Sequence, residues 1–277
     1  MVYFNQPHAF EPRELRPIET IASQLAFAIE RRKSAEELEA LVAERTASLQ
    51  KAIAQMEEFS YSVSHDLRSP VRAMRGYAEV LLSEYGSRLD AEGREMLGRI
   101  QRNGGRMDRL IQDLLTYSRL ARREIRLDVV PLDPLVREVI QHYPEMSPEV
   151  ATIEILEPLP DVLAHEPSLT QVVSNLLSNA VKFVEPGTRP HVRIGWDRTP
   201  TGARLWFQDN GIGIPPHLHA RLFGMFERVH PDRKYDGTGI GLAIVRKAME
   251  RMKGSVGVVS TGTSGSRFWI ELPVPPR

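Results

Sequence analysis

Apolar positions recur at three- and four-residue spacing over a long, uninterrupted stretch of this chain. Ile21, Leu25, Ala28 and Ala35 begin the pattern. Leu38, Leu41, Leu49, Ala52, Met56, Phe59 and Val63 continue it with small phase slips, while Arg32 and Arg45 fall on the same seam. No Gly or Pro interrupts residues 18–69. A pattern of that length predicts a coiled coil, with a solvated single helix as the alternative that the two arginines favour. Pro7, Pro12 and Pro17 are breakers, so residues 1–17 are expected to be irregular. The helical pattern runs on to about Tyr85, where Gly86 closes it and Ser87–Asp90 forms a turn. A second amphipathic helix spans about Ala91 to Arg122, with Met96, Ile100, Met107, Leu110, Leu114 and Tyr117 as its stripe. Two such helices make a hairpin with too little core to stand alone, and two hairpins from two chains make a four-helix bundle. Gly104-Gly105 inside the second helix points to close helix packing or to a hinge.

From Ile125 the pattern changes. Strands are predicted at 126–130, 152–156, 191–197, 204–208, 255–260 and 267–272, and helices at 132–143, 168–183 and 240–252. Trp196, Trp206 and Trp269 fall on strands and are read as sheet core. The fold class is therefore α + α/β: a long coiled-coil helix and helical hairpin, then an α/β sandwich with helices on one face of a mixed sheet. The divisions are an irregular segment over 1–17, a long helix over 18–55, a helical hairpin over 56–124, and an α/β domain over 125–277.

Composition narrows the chemistry. The 277 residues carry 36 basic and 36 acidic side chains, a balance that gives no support for a nucleic-acid binder. There is no cysteine, hence no disulfide or thiolate metal site, which fits a cytoplasmic location. No run of 18 apolar residues provides a membrane span, and the N-terminus lacks a signal-peptide pattern.

Within the first helix lies Ser64-His65-Asp66-Leu67-Arg68-Ser69-Pro70. Phe59, Val63, Leu67, Met74, Ala78 and Leu81 are read as a buried stripe. His65 is two residues from Val63 and two from Leu67, which turns it about 200° from each and toward solvent. Pro70 has no N–H, so the Asp66 carbonyl loses its helical partner beside the histidine. By itself the run fits a phosphoacceptor or an ordinary surface histidine.

The second half tips that balance. Asn175-Leu-Leu-Ser-Asn179-Ala180-Val-Lys182-Phe183 is followed by Asp209-Asn-Gly211-Ile-Gly213-Ile-Pro215. Then come Leu222-Phe223-Gly-Met-Phe226-Glu-Arg228 and Gly237-Thr238-Gly239-Ile-Gly241-Leu242. In this order they resemble the asparagine box, first glycine box, phenylalanine box and second glycine box of sensor histidine kinases, with His65 where that family carries its phosphoacceptor. The resemblance covers about residues 55–275, and the second glycine box looks most like the branch that includes bacterial phytochromes. Residues 10–33 resemble the closing helix of a GAF sensor domain, which implies an upstream sensor missing or truncated here.

Gln171, Asn175, Asn179 and Lys182 lie along one helix face. Carboxamide oxygens suit Mg²⁺. The resemblance implies that Asn179 coordinates it, Asn175 supports it and Lys182 meets phosphate. Asp209, at a strand end, can accept from the adenine amine, and Gly211 and Gly213 are expected to let backbone approach the base. Gly237, Gly239 and Gly241 lead into a helix at Leu242, where backbone amides suit a triphosphate. Phe223 and Phe226 are expected to anchor a lid over 214–236. His217 and His219 on that lid are read as solvated rather than metal-binding. His165 stands where the family usually carries an acid, which alters a local cap.

The resemblance implies a homodimeric kinase that takes ATP with Mg²⁺, phosphorylates His65 with Asp66 as its proton partner, and passes the group to the receiver domain of a response regulator. Ser69, one turn on, could orient water for phosphatase chemistry. Two alternatives use the same residues: an ATP-driven conformational protein of the gyrase or chaperone kind, and a nucleotide-binding dimeric scaffold without transfer.

Overall fold

A computed structural model describes residues 12–122, 125–227, 235 and 237–275. The chain divides into two units, residues 1–59 and 60–277. Helix α1 runs from Pro12 to Tyr85. It starts earlier than the prolines predicted. Pro12 occupies the first helical position, where its missing N–H costs nothing, and Pro17 lies close enough to that end to forfeit only one bond. In the first unit Ile21, Leu25, Leu38 and Leu41 are all exposed. Arg32 and Glu36 pair at 2.8 Å on the same helix. The side chains of Leu49, Met56 and Phe59 lie outside the described residues.

In the second unit α1 continues to Tyr85, a short 3₁₀ turn follows at Gly86–Arg88, and α2 spans Ala91–Arg122. Asp90 accepts from the Gly93 amide at 2.7 Å and so caps α2. The expected stripe on α1 resolves into two. Ser64, Val71 and Ala78 are buried, and so are Gly104, Ile111 and Ser118 on α2. Both sets have seven-residue spacing. Leu67, Met74 and Leu81, also seven apart, remain 44%, 49% and 42% exposed. The first set packs the hairpin on itself through Val71, Ile111 and Leu115; the second faces away from that seam. A two-helix hairpin can bury only one edge of a heptad pattern, so the other edge is left for a partner. Of the two reasons offered for Gly104-Gly105, close packing holds at Gly104. A Cβ there would come within 2.6 Å of Arg75 Cγ, whereas at Gly105 it would meet open space.

The α/β portion has two sheets. Strands β1 (Asp128–Pro131) and β3 (Asp161–Ala164) form an antiparallel pair. Strands β2 (Thr152–Ile155), β4 (His191–Arg198), β5 (Ala203–Asp209), β6 (Ser255–Val259) and β7 (Arg267–Leu272) form a sheet of order β2-β4-β5-β7-β6. Only β2 and β4 are parallel; the rest is antiparallel. Helices α4 (Glu166–Lys182) and α5 (Gly241–Arg251) pack on one face of it, and α3 (Leu132–His142) packs on α4 and β1. Strand β3 was not predicted: four residues between proline-rich flanks carry too weak an alternation.

Alternation of side chains explains the core. Val192, Ile194, Leu205, Phe207, Phe268 and Ile270 point inward and are buried with Leu169, Val173, Leu176, Ile244 and Met249 of the helices. Two of the three tryptophans correct the expectation. Trp206 and Trp269 lie on the opposite face of their strands, half-exposed. Their rings lie over glycines of the neighbouring strands, where a Cβ at Gly195 or Gly257 would fall within 2.4 or 2.3 Å of the rings. Arg267 covers Trp206 and Arg204 covers Trp269, at 4.6 and 4.2 Å from the ring centres. Guanidinium planes thus shield the open face of the sheet. Trp196 fits the expectation: it packs partly buried against the core and donates to the Pro158 carbonyl at 3.2 Å. His165 stands at the α4 N-cap and bonds Ser168 Oγ through Nδ1 at 2.8 Å, with no side-chain bond to backbone amides.

Candidate nucleotide site

The end of α4, the loop after β5 and the start of α5 enclose a cavity of about 420 Å³. Three turns of α4 supply one wall, because Gln171, Asn175, Ser178, Asn179 and Lys182 share the face turned to it. The Asn175 Nδ2 donates to the Gln171 carbonyl at 2.9 Å, and its Oδ1 lies 3.1 Å from where a Cβ on Gly241 would sit. Asn175 is therefore braced by its own helix and pressed against the first residue of α5. Lys182 places its ammonium over the Phe183 ring, 4.8 Å from the centre, and beside Gly237. Phe183 in turn meets Tyr235 at 5.4 Å between ring centres, and the Tyr235 hydroxyl donates to the Val184 carbonyl at 3.0 Å.

Asp209 closes the other end. Its Oδ1 accepts from the amides of Gly211 and Ser266, both at 2.9 Å. Burial outweighs these bonds and pushes its carboxyl up to about 6. The glycines beyond it are also required by the chain's own packing, and Gly213 lines the cavity. A Cβ on Gly211 would meet the Phe183 carbonyl at 2.4 Å. Gly213 has φ +76°, and a Cβ there would press the 262–264 backbone at 3.0 Å.

The second glycine box behaves as expected at Gly241, which opens α5, with Leu242 next to it on the cavity wall. Gly239 has φ +73° and runs against the backbone of Phe226. Gly237 and Thr238 also line the cavity.

Of the two expected lid anchors, Phe223 packs against the core and Phe226 does not. Phe223 is partly buried but does not line the cavity, and Phe226 is 62% exposed in a left-handed turn. Buried Leu222 is the apolar residue of that segment on the cavity wall. Residues 228–234 and 236 of the expected lid lie outside the described residues. His219 bonds the Ile214 carbonyl through Nε2 at 3.1 Å. Among the described residues no three His, Cys, Asp or Glu side chains group to hold a metal ion.

His65 belongs to α1, but its side chain lies outside the described residues. Asp66 and Ser69 are exposed on the same helix. Arg68 reaches α2, bonding Gln112 and standing 3.9 Å from Asp108. The site also contains groups that sequence patterns did not single out. Arg106, Arg109 and Asp113 of α2 line the cavity, as do Tyr143, Ile212 and Ser266. Thr238 Oγ1 donates to Asp113 Oδ2 at 2.6 Å. The 106, 109, 113 spacing marks one face of α2, but nothing local tells which distant loop that face meets.

Comparison with known proteins agrees with this geometry. Residues 55–123 match the His Kinase A (phospho-acceptor) domain, and residues 164–276 match the histidine kinase-, DNA gyrase B- and HSP90-like ATPases. This is the module order of sensor histidine kinases, and the chain belongs to that family. It is 31% identical to cyanobacterial phytochrome A of Nostoc over 236 residues, which is 85% of this chain and 31% of that protein. It is 32% identical to the circadian input-output histidine kinase CikA of Synechococcus elongatus, over 97% of this chain and 38% of that one. A crystal structure of full-length ShkA in complex with AMPPNP matches with a TM-score of 0.60 and 32% identity, over 79% of this chain and 46% of that chain. The chain spans about a third of the length of the curated relatives it matches. The 125–163 segment precedes the matched ATPase stretch, yet Val130, Leu132, Val136, Val139 and Met146 are buried in the same core. Among the described residues no helix is long and apolar enough to cross a membrane.

Proposed function

We infer that this chain is the catalytic core of a cytoplasmic, homodimeric kinase that phosphorylates His65 from ATP and hands the phosphoryl group to an aspartate on a response regulator. The observation that supports it is the convergence of Asn175, Asn179, Lys182, Asp209 and the glycine-led start of α5 on one cavity, in the same unit as His65. Asp209, when ionised, accepts from the adenine amine. The amides of Gly237, Gly239, Gly241 and Leu242, with Lys182, meet the phosphates. The amide oxygens of Asn179 and Asn175 are donors of the kind Mg²⁺ takes, and they would hold it; bound there, the ion would supply charge neutralisation at the phosphate oxygens.

The neutral ring nitrogen of His65 attacks the γ-phosphorus. The bond from phosphorus to the bridging oxygen breaks, ADP leaves with the electron pair, and Asp66 takes the ring proton. The receiver aspartate then attacks the phosphohistidine, the nitrogen–phosphorus bond breaks, and Asp66 returns the ring proton so that His65 leaves neutral. Ser69 orients water in a phosphatase reaction on the phosphorylated regulator. A sensor domain upstream sets the balance of these activities. The exposed Leu67, Met74 and Leu81 edge supports pairing of two hairpins.

The test is incubation of the full chain with γ-labelled ATP, with His65→Gln and Asn179→Ala beside it. Acid-labile, alkali-stable label that both substitutions abolish is expected. Label that persists in His65→Gln would remove His65 as acceptor. ATP turnover without label would favour the gyrase-like conformational alternative.

A further inference from the structure

The glycine loop before α5 is made to receive an anion, and an anion of the protein already stands on it. Thr238 lies between Gly237 and Gly239, and its hydroxyl donates to the Asp113 carboxylate at 2.6 Å while accepting weakly from the Ile240 amide at 3.3 Å. Asp113 comes from the hairpin, not from the α/β domain, and it lines the same cavity as Lys182, Asn179 and Gly241. It is half-buried, and burial raises its carboxyl above the usual carboxylate range, against the bond from Thr238 and the nearby charge of Arg109. Nothing in an α2–α5 contact requires a desolvated carboxylate at that point; an apolar or amide side chain would pack there without the desolvation cost. A triphosphate brings several more negative charges to the same loop, and like charges within a few ångströms exclude one another in a partly dry site.

We propose that Asp113 occupies the phosphate end of the nucleotide site in place of a ligand, so that ATP and the docked hairpin compete for the glycine loop. Entry of ATP then breaks the Asp113–Thr238 bond and frees the α/β domain from α2. Arg109 and Arg106, one and two turns away on the same face of α2, stay within the field of the incoming phosphates and moderate the repulsion. This rests on the reading of the cavity as the ATP site.

Calorimetry of ATP binding to the full chain tests it with Asp113→Asn, which keeps the shape and removes the charge, and Asp113→Ala, which removes both. Both variants are expected to bind ATP about tenfold more tightly than the parent, the effect of relieving one like-charge contact. Equal or weaker binding by both variants, with the parent binding normally, overturns the competition. No binding by the parent overturns the nucleotide reading itself. The chain has no cysteine, so a pair of spin labels at Arg119→Cys and Glu250→Cys reports the docking with Asp113 intact. Addition of ATP is expected to lengthen and broaden the label-to-label distance, and an unchanged distribution refutes release of the loop.

Discussion

The hairpin and the α/β domain solve the burial problem in opposite ways. The α/β domain closes a core over both ends of its sheet, from Val130 and Val139 to Met249 and Leu272. The hairpin has Val71, Ile111 and Leu115 as its own apolar cluster and leaves Leu67, Met74 and Leu81 at the surface. A strand pattern with one inward face is satisfied by helices of the same chain. A heptad pattern with two inward edges leaves one of them for a partner. One region completes its core within the chain, and the other keeps an apolar edge at its surface.

The largest effect that would break this contrast is on assembly. Replacing Leu67, Met74 and Leu81 together by Gln is expected to weaken dimerisation about a millionfold, from roughly 1.5 kcal/mol lost at each of the six side chains that two copies bring. Analytical ultracentrifugation reads it, and a variant that stays dimeric at the parent's concentration would place the interface elsewhere. The urea midpoint of the α/β domain should not move. Next comes Phe207→Ala, at a side chain 1% exposed between β4 and β7. It should cost the α/β domain about 3–5 kcal/mol by urea denaturation and leave the dimer constant alone. A loss below about 1 kcal/mol would mean that the sheet interior repacks more freely than its burial implies.

The smallest effect sharpens the comparison through pH. The Asp209 carboxyl is raised from its ordinary 3.8 to about 6 in the native state, so the folded domain holds a proton that the unfolded chain releases. Its contribution to stability is complete below about pH 4 and is lost as pH rises through 6. Asp209→Asn should therefore match the parent in acid and exceed it by on the order of 2 kcal/mol near pH 7, while ATP binding is lost throughout. Urea midpoints between pH 4 and 8 measure the gap; one that is constant with pH would show that Asp209 does not carry this proton. In the parent, ATP affinity should fall as pH drops through 6, because the protonated acid no longer accepts at both oxygens.

Much of this was readable from local patterns. Strand β7 runs over the same residues that alternation marked, and α4 begins and ends within two residues of its expected span. The asparagine ladder needed only helical geometry to be recognised. What was not readable depends on distant partners. Gly211 is required by the Phe183 carbonyl, which lies 28 residues away in sequence. Phe226 looked like an anchor because aromatic residues usually bury, but its left-handed backbone leaves the ring outside. Trp206 and Trp269 alternate in phase with arginines, and period-two patterning identifies two faces without saying which is inner when both carry large side chains. Asp113 and its arginines sit on an ordinary polar helix face until the fold brings Thr238 to it.

The placement of the tryptophans has an optical consequence. All three, Trp196, Trp206 and Trp269, are in strands of the α/β domain, and none is in α1 or α2. Excitation near the red edge of protein absorption therefore lights one region only. Emission reports the melting of the sheet, while the helical band of the circular dichroism spectrum is dominated by α1 and α2. Recorded on one sample, the two signals form a built-in pair of colours: where their transitions coincide the two regions unfold as one, and where they separate, the gap measures how loosely the domain is moored to the helices.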